Sequence, residues 1–268
     1  MSENHIVLGL VGSPNKEGRT NELVSAALAG AAATGATTEL VQMSEHVVEA
    51  CRDCLPWVCA KNLKCTYKDE GFELLSKKIL DSGALVLGTP VYWGDTSGMV
   101  RYLLIKMCRV FARSGQLKGL PALGMAIAGG TGNGTSTSLR PLYHFFRIMQ
   151  MRALEPLPAT RFDMDKATKA AEAAGHRIGG MAAARSPFES GDECLLWYDS
   201  LPYLSENRAA ERRQLAAITV EAVPEGRQKD ISGSLARADI LAAAGRHLEE
   251  MKEFSKIYDS AVKIISEK

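Results

Sequence analysis

The chain has 268 residues, a formal charge of +1 and 46% hydrophobic residues, which suffices for one large domain or a domain with an appendage. So balanced a charge excludes a polybasic surface for nucleic acid or an anionic membrane, and no run nears the roughly 18 apolar residues of a membrane span. The N-terminus shows no basic stretch followed by an apolar one, so a cytoplasmic protein with reduced cysteines is expected.

Through the first two-thirds of the chain, strand patterns alternate with helical ones. His5 to Ser13, HIVLGLVGS, reads as a fully buried strand, and Thr20 to Gly35 as a helix ended by its glycine. TTELVQM follows as a second strand. After a cysteine-bearing loop, Asp69 to Ser82 has helical spacing, and Ala84 to Pro90 is a third buried strand. Ser97 to Ser114 reads as a helix, PALGMAIAGG as a fourth strand, Leu139 to Met151 as a helix, RALEPLPA as a fifth strand and Asp165 to Arg185 as a fifth helix. The alternation predicts an α/β fold, a doubly wound five-stranded parallel sheet covered on both faces over residues 1–185. Ligands of such folds sit beyond the carboxyl ends of the strands, and three of those ends carry the least ordinary loops of the sequence.

Residues 186–268 form a C-terminal extension of different character. A stretch rich in Pro, Gly and charge contains Trp197, Tyr198 and Tyr203, which read as packing residues, with capping of a flavin or planar substrate as the alternative, and Ser234 to Ile265 reads as one long amphipathic helix. A lid, an oligomer arm, a partner surface and an inert packing helix all suit this extension.

The loop after the first strand, GSPNKEGRTNEL, leads into a helix whose N-terminal N–H groups suit an anion. Ser13, Asn15, Thr20 and Asn21 add short donors, and Arg19 adds a cation. It is no Walker A loop, because five residues separate Gly12 from Gly18 and Arg19 stands where lysine belongs. Nor is there a G-x-G-x-x-G fingerprint, since GGTGNGT puts Thr135 at the third glycine and follows the fourth strand. What remains is the hydroxyl-rich loop that holds an FMN phosphate in flavodoxin-like folds, with a ligand-free capped turn as the plain alternative. The third strand ends in Pro90, Val91, Tyr92, Trp93 and Gly94, and the fourth in Gly129, Gly130, Thr131, Gly132 and Gly134. Flat apolar faces and bare backbone amides of this kind suit an isoalloxazine ring.

Four cysteines, Cys51, Cys54, Cys59 and Cys65, stand at intervals of two, four and five residues. Soft thiolates this close suit an iron–sulfur cluster or zinc, and free or reversibly paired thiols are the remaining alternative. Cys108, in an apolar helical run, reads as a core residue, whereas Cys194 has no assigned role. The five histidines show no metal-binding spacing, and His144 reads as facing a helix surface or a neighbouring subunit.

Gly12-Ser13-Pro14 with Gly18 and Thr20, then Pro90 to Gly94, then Gly129-Gly130 with Gly134, resemble the NADPH-dependent FMN reductase and iron–sulfur flavoprotein family. The resemblance covers about residues 5–185. It implies a flavodoxin-like fold with strand order 2-1-3-4-5, FMN at the strand ends, NAD(P)H as electron donor, and a homodimer or homotetramer. It also implies a [4Fe-4S] cluster on Cys51, Cys54, Cys59 and Cys65, although the family's middle interval is two residues and here it is four. The expected activity is FMN-dependent reduction of a quinone, a flavin or another small acceptor, with no obligatory catalytic side chain. One alternative is electron transfer between FMN, the cluster and a ferredoxin-like partner. Another is a non-catalytic flavin- or metal-binding assembly module.

Overall fold

A computed structural model of the chain describes residues 6–54, 58–204 and 208–267. Strands β1 (Ile6–Val11), β2 (Thr37–Gln42), β3 (Ala84–Pro90), β4 (Pro121–Ala128), β5 (Arg152–Ala153) and β6 (Leu157–Thr160) form one sheet. Its order is β2-β1-β3-β4-β5, with β6 also on β4, and every pairing is parallel. This is the expected flavodoxin-like order. Register aligns Gly9 with Leu40 on one side and Val86 on the other, and Leu85 with Ala122. Strands β3 and β4 are buried along their whole length, as apolar runs without alternation require when both faces are covered.

The expected fifth strand is split in two. β5 pairs with Pro121 and Ala122, and β6 with Met125 to Ala128. Pro156 lies in the gap and has no N–H to give to the ladder.

Helices α1 (Arg19–Ala32) and α6 (Met164–Met181) cover one face; α3 (Glu70–Asp81), α4 (Gly98–Phe111) and α5 (Thr135–Ile148) cover the other, and the short α2 (Val58–Asn62) carries Cys59. The first face packs small residues. α1 and α6 approach to backbone contact, since a Cβ at Gly30 would stand 1.9 Å from the Glu172 carbonyl oxygen and one at Gly175 1.9 Å from that of Ala27. The second face packs large ones, among them Phe72, Phe145, Phe146 and Met107. α5 starts four residues before the expected Leu139, because the Thr-Ser-Thr-Ser run forms its first turn rather than a loop.

The extension comprises α7 (Gly191–Asp199), α8 (Arg208–Glu221), α9 (Glu225–Ala243) and α10 (His247–Ser266). α7 packs on the sheet as expected of two of the three aromatics: Tyr198 donates to the Met151 carbonyl at 2.7 Å, Trp197 to that of Ala153 at 3.0 Å, and the Arg152 guanidinium covers the Phe188 ring at 3.8 Å. Tyr203, beyond the end of α7, is instead exposed. The single helix expected over Ser234 to Ile265 is instead a hairpin. Gly245 takes φ +69°, which ends α9 and lets α10 turn back. With α8 the two helices enclose a separate small core that includes Val220, Ala238, Phe254 and Ile257. No helix among the described residues is long and apolar enough to cross a membrane.

Candidate functional site

The loops after β1, β3 and β4 lie side by side at the carboxyl edge of the sheet. The first is fixed by its own short side chains. The Ser13 hydroxyl accepts the Asn15 N–H at 3.2 Å, the Asn15 side-chain oxygen accepts the Glu17 N–H at 3.0 Å, and the Asn15 carbonyl accepts the Gly18 N–H at 3.3 Å. α1 then starts at Arg19 with Gly18 in the cap position and no side chain capping it. By contrast α3, α4 and α7 are capped by Asp69, Ser97 and Ser190. α5, α6, α9 and α10 also lack a side-chain cap, but α1 alone follows the hydroxyl-rich loop after β1, where an open first turn suits an anion. Of the residues expected there, Asn15 and Arg19 are exposed, Ser13 and Thr20 are buried against the loop, and Asn21 accepts a hydrogen bond from Ser25 at 3.0 Å.

Two supporting residues went unread in the sequence. The buried amide of Gln42, at the end of β2, donates to the Ser13 carbonyl. The Ser97 hydroxyl donates to the Gly12 carbonyl at 2.6 Å while accepting the Val100 N–H at 3.4 Å, so one side chain caps α4 and ties the loop after β1 to that after β3. Gly12 itself has no room for a side chain, because a Cβ there would lie 2.2 Å from Val100 Cγ2.

After β3, the Val91 N–H donates to the Ile127 carbonyl at 2.9 Å, and Tyr92 and Asp95 exchange backbone hydrogen bonds of 2.9 and 3.1 Å. Between them Trp93 and Gly94 both have positive φ, +53° and +77°, the geometry of a tight two-residue turn. Arg101 clamps this turn by donating to both Asp95 oxygens, at 2.6 and 2.5 Å. After β4, Gly129 and Gly130 face open space, whereas a Cβ at Gly134 would stand 2.7 Å from Val91 Cγ1 and 2.9 Å from Gly94 Cα. These two loops therefore touch at one end and part at the other.

The parting is a pocket of about 660 Å³, inside the range for small-molecule sites. Of the residues expected around a flavin ring, Val91, Trp93, Gly94, Gly129, Gly130, Thr131 and Gly134 line it. Pro90, Tyr92 and Gly132 do not. Pro90 is buried as the last residue of β3, Tyr92 closes its turn onto Asp95, and Gly132 faces Leu215 of α8, whose Cδ1 would be 3.1 Å from a Cβ there. The outer wall is Glu211 and Arg212 of α8 and Met251 of α10. Nothing in the sequence marked these three, which reach the site only because the extension folds back. The loop after β1 does not line this pocket; it lies beside it, joined through Ser97. Glycine floor, a rim of mixed polarity and an adjacent uncapped helix start fit a nucleotide whose flat ring enters the pocket while its phosphate meets α1.

The four clustered cysteines do come together, on one small pocket of about 20 Å³ that Lys106 and Arg109 also line. Cys59 is buried on α2 and its thiol donates to the Arg109 carbonyl at 3.4 Å, while Cys54 contacts the Thr66 hydroxyl at 3.6 Å. Ion pairs hold the loop shut. Arg109 pairs with Asp53, Arg52 lies 4.6 Å over the Tyr67 ring, and the buried Lys106 pairs with the buried Asp69. Burial opposes ionisation of Asp69, but the Lys106 ammonium and the N–H groups of Phe72 and Glu49 outweigh it and hold its pKa below the ordinary carboxylate range. The donor set suits a cluster in kind, yet a void of this size holds about one water. No group of three or more His, Cys, Asp or Glu among the described residues is placed to hold a metal ion. Residues 55–57, inside the widened interval, lie outside the described residues.

Elsewhere, burial raises the Cys108 thiol to about 11, so it stays protonated at neutral pH, and it packs against the large-residue core as expected. Cys194 is buried in the same core. His144 is on the exposed side of α5, where burial and Arg147, whose guanidinium is 3.2 Å from its Nδ1, lower its pKa.

Sheet order and rim define a flavodoxin-like nucleotide-binding α/β protein. Residues 6–160 match the family model described as NADPH-dependent FMN reductase; the chain belongs to that family and is a flavin oxidoreductase in that broad sense. An iron–sulfur flavoprotein of Methanocaldococcus jannaschii is 30% identical over 145 residues, 54% of this chain and 73% of that protein. A second from the same organism is 29% identical over 146 residues, 54% of this chain and 72% of the other. Among solved structures, a flavone reductase superposes with a TM-score of 0.53 at 17% identity, covering 66% of this chain and 62% of its own. An NAD(P)H:quinone oxidoreductase from Methanothermobacter marburgensis does so with a TM-score of 0.50 at 15% identity, covering 65% and 96%. At such identities these two speak for the fold alone.

Proposed function

We propose that the chain binds FMN at this rim and uses it to reduce a small acceptor, such as a quinone or a flavin, with electrons from NAD(P)H. The observation that carries this reading is the open glycine-floored pocket beside an uncapped α1, in a chain of the FMN reductase family. Ser13, Asn15, Arg19, Thr20 and Asn21 would hold the phosphate, with Gln42 and Ser97 keeping their loop in place. Val91, Trp93 and Gly94 would flank the ring on one side, and Gly129, Gly130, Thr131 and Gly134 on the other. When bound, FMN supplies the hydride and electron chemistry, and the residues named bind and orient without an acid or nucleophile of their own. The full exposure of Trp93 at the pocket mouth supports completion of the site by a second copy, in a homodimer or homotetramer.

The test is retention and turnover. Protein reconstituted with FMN should keep it through a desalting column, bleach with NADPH or NADH, and recover its colour with a quinone. Loss of the flavin on the column overturns the reading; retention without bleaching by either nicotinamide leaves a flavin-binding module instead.

A second reading rests on the four cysteines sharing one pocket with two cations. There Cys51, Cys54, Cys59 and Cys65 would hold a [4Fe-4S] cluster. The closed void means that the loop must open for such a cluster to enter. Anaerobic reconstitution with iron and sulfide should then give about four iron atoms per chain and broad absorption that disappears in Cys59→Ser. Uptake unaffected by that substitution would exclude this ligand set.

A further inference from the structure

The extension does more than cover the sheet. Three contacts seat it on the glycine loop and its helix: Ser136 of α5 donates to the Gln214 side chain, Leu215 packs on Gly132, and Tyr258 donates to the Thr131 carbonyl. Their effect is to set Arg212 and Met251 opposite Gly129 and Gly130 across the pocket.

Arg212 differs from Arg213 in forming no ion pair among the described residues. Arg213 is bound to Asp239 through two hydrogen bonds of 2.6 and 2.8 Å, and Glu211, on the same wall, is itself engaged. Among the described residues no carboxylate forms an ion pair with Arg212, which is half-buried at the edge of the pocket. The rest of the lining is mixed: Val91, Trp93 and Met251 are apolar, whereas Thr131, Asn133, Thr137 and the Glu211 carboxylate are polar. A guanidinium beside apolar faces and small polar side chains is a donor set for a ring compound carrying one anionic group. A volume of about 660 Å³ shared with a flavin ring leaves space for one small ring beside it.

We infer that α8 and α10 complete an acceptor subsite, in which Arg212 receives the carboxylate, sulfonate or phosphate of a small anionic ring compound stacked between Trp93 and Met251. This rests on the flavin reading, because the ring of FMN is the floor onto which such an acceptor would settle.

The experiment compares a naphthoquinone sulfonate with the uncharged naphthoquinone, titrated calorimetrically into oxidised FMN-loaded protein, wild type and Arg212→Gln. Wild type should bind the sulfonate about tenfold more tightly, as one charge-assisted contact gives. Arg212→Gln should abolish that preference without changing affinity for the neutral quinone, and Arg212→Lys should restore most of it. Equal affinities in wild type, or equal losses for both quinones in Arg212→Gln, overturn the subsite. So does a variant that weakens NADPH but neither NADH nor the sulfonate, which would assign Arg212 to the electron donor. Flavin retention is read separately from its absorbance. If wild type keeps no FMN, the flavin reading falls, and the same titration of the apoprotein still decides whether Arg212 selects an anion.

Discussion

The glycine loop after β4 and the cysteine loop after β2 both advertise a ligand through their residue types, yet one opens on about 660 Å³ and the other encloses about 20 Å³. The difference lies in what stands behind each. The glycine loop is held apart from its surroundings by a helical unit contributed from far along the chain. The cysteine loop is drawn in by local ion pairs, Asp53 with Arg109 and Asp69 with Lys106. A motif states which chemistry a loop offers, whereas the volume available to it is decided by its neighbours.

The largest expected effect breaks the closed side of this comparison. Asp69→Asn strands the buried ammonium of Lys106 and should cost about 3–5 kcal/mol in denaturant unfolding, with faster alkylation of the buried Cys59. Asp69→Asn combined with Lys106→Met should recover most of that loss; a double variant no better than the single one would show that the pair is not the clamp.

The same pair sets an acid limit. Asp69 titrates below its unfolded value in the native state, so its contribution is complete at neutral pH. It declines as pH falls past the ordinary carboxylate range and is gone below the lowered native value. Melting temperature plotted against pH should therefore fall more steeply in acid for wild type than for Asp69→Asn.

On the open side, Gly134→Ala places a methyl group against Val91 and Gly94 at φ +95°. It should cost about 2 kcal/mol and weaken FMN binding at least tenfold in a fluorescence titration. An unchanged dissociation constant would remove this loop from the flavin site. The smallest effect belongs to Tyr258→Phe, which deletes one half-exposed hydrogen bond to Thr131. About 0.5 kcal/mol of stability should be lost, and FMN should bind no more than a few-fold less tightly. A larger change would mean that the extension shapes the glycine loop as well as walling it.

Much of this was legible in the sequence, for a physical reason. Uninterrupted apolar runs announced β1, β3 and β4 because a doubly covered strand has no polar face, and turn residues marked where those strands end. Pro156 was also visible, but its consequence, a strand broken into β5 and β6, depends on β4 offering partners on both sides of the break. Gly245 was hidden inside a run of good helix formers, LAAAGRHLEE, which gives no sign of the positive φ it takes. The outer wall had no local signal at all. Glu211, Arg212 and Met251 belong to ordinary surface-helix patterns, and what brings them to the pocket are contacts such as Ser136 with Gln214, 78 residues apart, and Thr131 with Tyr258, 127 apart. The four cysteines were read correctly as neighbours, but the closure of their loop follows from Lys106 and Arg109, which looked like ordinary charges on a helix.

The seam where α1 meets α6 has a consequence for ligand affinity. Gly30 and Gly175 let two main chains touch across one face of the sheet, so neither helix can shift alone. α1 is also the helix whose open end is proposed to meet the phosphate. A bulky side chain at 175 would wedge the far end of that helix and tilt its near end, detuning phosphate recognition by leverage while leaving every group that the nucleotide meets chemically intact.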